Sequence, residues 1–70
     1  MNSEILAAKL KQMRLERDMT LNEVGAAIGI TGSAVYRIEN SLVIPNERTM
    51  YKITRAFPEL FANKPDRQTA

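Results

Sequence analysis

TLNEVGAAIGITGSAVYRIEN, residues 20–40, holds two helix starts and one helix stop in quick succession. Thr20 followed three residues on by Glu23 is a capping box: the hydroxyl takes an N–H of the first turn while the carboxylate reaches back to the cap. Met19 before the cap and Val24 after it are placed to pack as a hydrophobic staple. Gly29 stands just after Ile28, where a left-handed residue ends a helix, and Thr31 offers a new cap two residues later. Two short helices therefore meet at a tight turn. The second, about Gly32 to Asn40, carries Val35 and Ile38 on one side and Gly32, Ser33, Tyr36, Arg37 and Asn40 on the other. One face reads as core and the other as presented outward, which is the layout of a helix-turn-helix. Gly25 inside the first helix costs ~1 kcal/mol relative to Ala, so either the following helix approaches its backbone closely or the glycine is simply tolerated.

Outward from this unit the pattern stays helical. Ile5, Leu6, Leu10 and Met13 recur at helical spacing among polar residues, predicting a helix from about Ser3, as its cap, to Arg17. Asn40-Ser41 ends the second helix of the central unit. Pro45-Asn46 marks a turn, and Met50, Ile53 and Phe57 predict a further helix over about Glu47 to Ala56. Pro58-Glu59-Leu60-Phe61 reads as a last helical turn with Pro at its first position. The expectation is an all-α, compact domain of four to five helices over residues 1–62, followed by a disordered polar tail over 63–70. No repeat, heptad or strand-like alternation competes with it.

Composition narrows the function. The chain has 70 residues, 10 Lys/Arg against 8 Asp/Glu and a formal net charge of +2, with no His and no Cys. A chain of this length buries only ~60% of its unfolded surface, room for one domain. Without imidazole or thiol there is no neutral-pH proton shuttle, thiolate nucleophile, Cys/His zinc site or disulfide. An enzyme is therefore the least expected class, and no cofactor or metal is anticipated. The first residues lack the basic start and apolar run of a signal peptide, so the expected location is cytoplasmic. The spacing of Gly25, Gly29 and Gly32 matches neither G-x-G-x-x-G nor a P-loop.

Leu10-Lys11-Gln12-Met13-Arg14, Thr20-Leu21-Asn22-Glu23-Val24-Gly25, Gly29-Ile30-Thr31, Val35, Ile38-Glu39, Pro45, Met50 and Ile53 resemble the lambda-repressor/Cro-like (XRE-type) helix-turn-helix family. The resemblance spans about Leu6 to Phe57, and in size the chain is similar to small phage or mobile-element repressors. It implies that Arg14 and Glu39 form a structural ion pair. It also implies that the Gly32-to-Asn40 helix lies in the DNA major groove with its N-terminal residues over base edges.

The candidate base contacts are Gly32, Ser33, Ala34, Tyr36 and Arg37. Arg37 suits guanine O6 and N7 bidentately, a phosphate clamp or solvated arginine being the alternative. Ser33 and Tyr36 suit a base edge or a phosphate. Ala34 meets a thymine methyl or packs inward, and Gly32 reads nothing with a side chain but admits close backbone approach. The candidate phosphate contacts are Asn22, Thr31, Asn40, Ser41, Asn46 and Arg48, each equally readable as a cap or a solvated residue. Relatives often have Gln at the start of the first central helix; Leu21 stands there, which moves that contact to Asn22 or a backbone N–H, or removes it.

Leu42-Val43-Ile44 departs from the family's polar loop, and an exposed apolar triplet suggests a partner. Leu42, Ile44, Leu60 and Phe61 are the expected homodimer surface, with packing inside the monomer as the alternative. The function expected is a sequence-specific, dimeric transcriptional repressor or autoregulator on an inverted-repeat operator in double-stranded DNA. The competing readings are a protein-binding adaptor such as an antitoxin, using the 42–44 loop, and an activator working through Glu23.

Overall fold

The computed structural model describes residues 3–61, so the predicted tail over 63–70 lies outside the described residues. Four α-helices follow one another, α1 (Ser3–Glu16), α2 (Leu21–Ile28), α3 (Gly32–Glu39) and α4 (Glu47–Ala56), and a 3-10 turn, Pro58–Leu60, closes the described chain. Ser3 is the first helical residue of α1 rather than its cap. Among the described residues there is no strand.

Local chemistry sets each boundary. At the start of α2 the Thr20 hydroxyl accepts from the Glu23 N–H at 3.0 Å and the Glu23 carboxylate accepts from the Thr20 N–H at 2.8 Å. Two of the four orphan donors of this helix start are thereby satisfied. Gly29 ends α2 at φ 98°, and its N–H reaches the Gly25 carbonyl at 2.7 Å. A side chain is disfavoured at that φ, so glycine is the residue that allows the sharp turn. Thr31 then caps α3 by accepting from the Ala34 N–H, and Asn46 caps α4 by accepting from the Thr49 N–H.

Gly25 is needed for sterics. A Cβ there would lie 2.6 Å from the Ile30 carbonyl oxygen and 2.9 Å from the Thr31 carbonyl carbon. What approaches its backbone is thus the turn into α3 rather than the body of that helix.

The core draws on every element: Leu6, Leu10 and Met13 from α1, Val24 and Ile28 from α2, Val35 and Ile38 from α3, Ile53 from α4, then Phe57 and Leu60. Ile5, predicted within the apolar stripe of α1, is 46% exposed, and Ala7 is buried. α2 packs on α3, α1 crosses α3, α4 covers α2, and the 3-10 turn folds back against α1 and α4. That return corrects the dimer expectation for the C-terminal turn. Leu60 is 5% exposed inside the monomer core and Phe61 packs half-buried against it. Lys9 Nζ also donates to the Leu60 carbonyl at 3.4 Å.

Arg14 joins α1 to the end of α3. Its Nε donates to Glu39 Oε2 at 2.8 Å and its Nη2 to Glu39 Oε1 at 3.0 Å, with a third bond from Nη1 to the Met19 carbonyl at 3.4 Å. The side chains are 16% and 3% exposed, so this bidentate pair is largely withdrawn from water. The hydrogen bond to Glu39 raises the Arg14 pKa above its ordinary value, with burial opposing.

Candidate nucleic-acid interface

The pinned end of α3 fixes which residues face outward. Val35 and Ile38 are buried on one side, while Ser33, Tyr36, Arg37 and Asn40 are exposed on the other. Beside them lies an open groove of about 670 Å³, lined by Thr20, Leu21 and Asn22 of the α2 start, by Gly32, Ser33, Tyr36 and Arg37 of α3, and by Leu42. The N-terminal ends of α2 and α3 therefore share one surface. Hydroxyls, a carboxamide and a guanidinium project there, so the surface offers donors suited to base edges and phosphate oxygens.

Gly32 departs from the predicted outward set: it is buried, and a Cβ on it would collide with the Asn22 side chain. Ala34 is half-buried. It lines a second, smaller depression with Ile30, Arg37, Ile38, Val43, Ile44, Pro45, Asn46 and Thr49, so its methyl is shared between that depression and the surface. Arg37 belongs to both depressions.

The six predicted phosphate ligands are all exposed, but at different places. Asn22 lies in the first turn of α2. Thr31 and Asn46 spend an oxygen on their helix caps, which leaves the Thr31 O–H and the Asn46 amide hydrogens as donors. Asn40 turns one amide hydrogen back to the Tyr36 carbonyl at 2.8 Å. Ser41 holds a left-handed backbone at φ 58°, and Arg48 stands in the first turn of α4.

The structure divides the four residues predicted for a dimer surface. Leu42 and Ile44 are 63% and 82% exposed, whereas Leu60 belongs to the core. Leu42 also lines the groove beside Tyr36 and Arg37.

Sequence reasoning passed over a basic edge on α4. Arg48, Lys52 and Arg55 recur at helical spacing and surround a depression with Tyr51, Ala27 and Ile28, and the Arg55 guanidinium sits 5.8 Å from the Tyr51 ring centroid. The spacing of those three cations was the available signal. Among the described residues no group of three or more His, Cys, Asp or Glu is placed to hold a metal, and no helix is long and apolar enough to cross a membrane.

The family model described as helix-turn-helix matches residues 10–59, a span running from α1 to the 3-10 turn. No curated protein and no solved structure matches the chain.

Proposed function

The chain belongs to the helix-turn-helix family of the lambda-repressor (XRE) type, and on that premise we propose that it is a sequence-specific DNA-binding transcriptional regulator, acting as a small dimeric repressor. The observation that carries this reading is the outward face of α3. Ser33, Tyr36 and Arg37 project together beside the start of α2, on a helix whose other face is locked in the core. α3 enters the major groove, with Arg37, Ser33 and Tyr36 at base edges and Ala34 available to a thymine methyl. Thr31, Asn46 and Arg48 hold phosphates on either side, joined by Asn22, Asn40 and Ser41.

The dimer rests on the loop after α3. Leu42, Val43 and Ile44 are 63%, 41% and 82% exposed, an apolar run that a second copy of the same loop would cover. A two-fold dimer sets two α3 helices ~34 Å apart and selects an inverted repeat. Repression follows from occlusion of a promoter by a protein bound there.

Selection from a random duplex library, followed by anisotropy titration of the enriched and scrambled duplexes over a salt series, tests the reading. A regulator enriches one inverted repeat and binds it at least ~10³-fold more tightly than the scrambled duplex. Equal, steeply salt-dependent binding to both would sink it. Sedimentation equilibrium, with and without the duplex, tests the dimer: a monomer mass in both cases removes it.

A further inference from the structure

Away from the groove beside α3, α4 carries a basic face. Arg48, Lys52 and Arg55 stand at i, i+4 and i+7, so they share one edge of the helix. They rim an open depression of about 530 Å³ with Tyr51 and, from the end of α2, Ala27 and Ile28. Tyr51 is 63% exposed, and the Arg55 guanidinium lies 5.8 Å from its ring centroid. Lys52 is half-buried, its Cδ 3.9 Å from where a Cβ on Gly29 would stand, which lays its stem against the C-terminal end of α2. No acidic side chain lines the depression, and among the described residues no ion pair engages any of the three cations. Arg48 and Lys52 are then a like-charge pair at i, i+4, which weakens a helix unless a carboxylate comes between them. The DNA groove opens at the start of α2 and this depression at its end, ~12 Å along the helix, and they share no lining residue.

We propose that the Tyr51, Lys52 and Arg55 face of α4 docks an acidic segment of a partner protein, with carboxylates on the two cations and one large apolar side chain against Tyr51 and Ala27, while α3 stays free for DNA. The proposal goes beyond the regulator reading and does not depend on it. The charge of the face sets the sign of the partner, and its apolar floor sets the class. A phosphate strand would use the cations and leave the Tyr51 ring and the Ala27 methyl in water. A protein segment with carboxylates around a leucine or phenylalanine covers both. Arg55 against the Tyr51 ring keeps the fork of its guanidinium for a carboxylate, which it can hold bidentately. Tyr and Arg are also the side chains that carry much of the binding energy at protein interfaces. Arg48, in the first turn of α4, is the near end of the edge and is left to the duplex.

The test displays a library of random dodecapeptides to the full chain and elutes the bound ones with salt. Enriched peptides are expected to carry an excess of Asp and Glu around one large apolar residue. The most enriched is synthesised with a fluorophore and titrated by anisotropy. Lys52→Gln with Arg55→Gln should weaken it about a hundredfold, the loss of two hydrogen bonds between charged groups, and Tyr51→Ala about tenfold. Lys11→Gln, on the exposed side of α1, should change nothing. An excess of the selected duplex should leave the peptide bound, and the Lys52→Gln, Arg55→Gln variant should keep the wild-type salt dependence on that duplex. The proposal is overturned if no acidic peptide is enriched, if the double variant binds the peptide like the wild type, or if the duplex displaces it. A salt slope shallower by about 2 in the double variant would give the face to DNA phosphates instead. Should the double variant fail to fold by circular dichroism, Arg55→Gln and Tyr51→Ala, both at exposed positions, decide. A chain that prefers no duplex removes the regulator reading alone, since the peptide titration needs no DNA.

Discussion

The inner and outer sides of α3 are built on opposite terms. Inward, Val35 and Ile38 are enclosed by the core, Glu39 is clamped by Arg14, and the preceding turn lies so close to Gly25 that no side chain fits there. Outward, Ser33, Tyr36 and Arg37 are exposed beside an open groove. A helix of eight residues is too short to hold itself in water, so its rigidity comes from the inner side. The outer side is left to be selected for a partner. Substitutions on the two sides should accordingly separate, the inner ones changing stability and the outer ones changing recognition.

The largest expected effect is on the inner side. Glu39→Ala leaves the Arg14 guanidinium withdrawn from water without its carboxylate, a loss of about 3–5 kcal/mol read by urea denaturation. Replacing both partners, Arg14→Met with Glu39→Leu, removes the stranded charge and should cost far less. A double variant as unstable as Glu39→Ala would show that the pair contributes something packing cannot replace. On the arginine side the sign is set by a folded pKa above the ordinary arginine value. The stabilisation is therefore fully present below that value and fades only as pH rises through the raised one, so Arg14 adds no pH dependence near neutrality.

Arg37→Ala is the counterpart on the outer side. It should change unfolding free energy by no more than ~0.5 kcal/mol while removing about 1–3 kcal/mol of discrimination at one base pair of the selected duplex. Uniform weakening across all duplexes, with a shallower salt dependence, would instead make Arg37 a phosphate clamp.

What the sequence disclosed follows the same division by range. The capping box of Thr20 and Glu23, the stop at Gly29 and the bounds of α2 to α4 rest on neighbours within four residues, and they were legible. Contacts made at distance were not. Leu60 needed burial, but whether in a dimer or in the monomer stayed open because nothing local says that the chain returns to α1, and Arg17 gave no sign of meeting Glu59, 42 residues away. Gly32 fell on the outward face by helical spacing, yet a residue of the preceding helix covers it. Periodicity assigns an angle around one helix and carries no information about what a neighbouring helix lays over it. Arg14 and Glu39, 25 residues apart, were paired through the family resemblance rather than from spacing.

The helix caps test the inner side at smaller scale. Thr20→Ala and Thr31→Ala should each cost about 1 kcal/mol, because each removes a hydroxyl that holds one N–H; the other half of the box at α2, the Glu23 carboxylate on the residue-20 backbone N–H, survives Thr20→Ala and is removed by Glu23→Ala. Thermal unfolding of the three variants measures the two halves separately. A Glu23→Ala variant as stable as the wild type would mean that the Glu23 carboxylate adds nothing to its helix start.

The smallest effect belongs to the second ion pair of the α1 region. Arg17 reaches Glu59 from the end of α1 as Arg14 reaches Glu39, but its partners are 49% and 45% exposed where the inner pair is 16% and 3% exposed. Water screens such a pair and the two side chains lose rotamer freedom to make it, so a double-mutant cycle should give only about 0.2–1 kcal/mol. The Arg17 guanidinium also lies 5.7 Å from the centroid of the Phe57 ring, at the edge of the core. Arg17→Ala should therefore cost more than Glu59→Gln, the excess being the cation–π contact, and that excess should outlast 1 M salt while the pair's coupling does not. A coupling as large as that of Arg14 with Glu39 would break the comparison, because burial, and not charge pairing itself, is what sets the inner side apart.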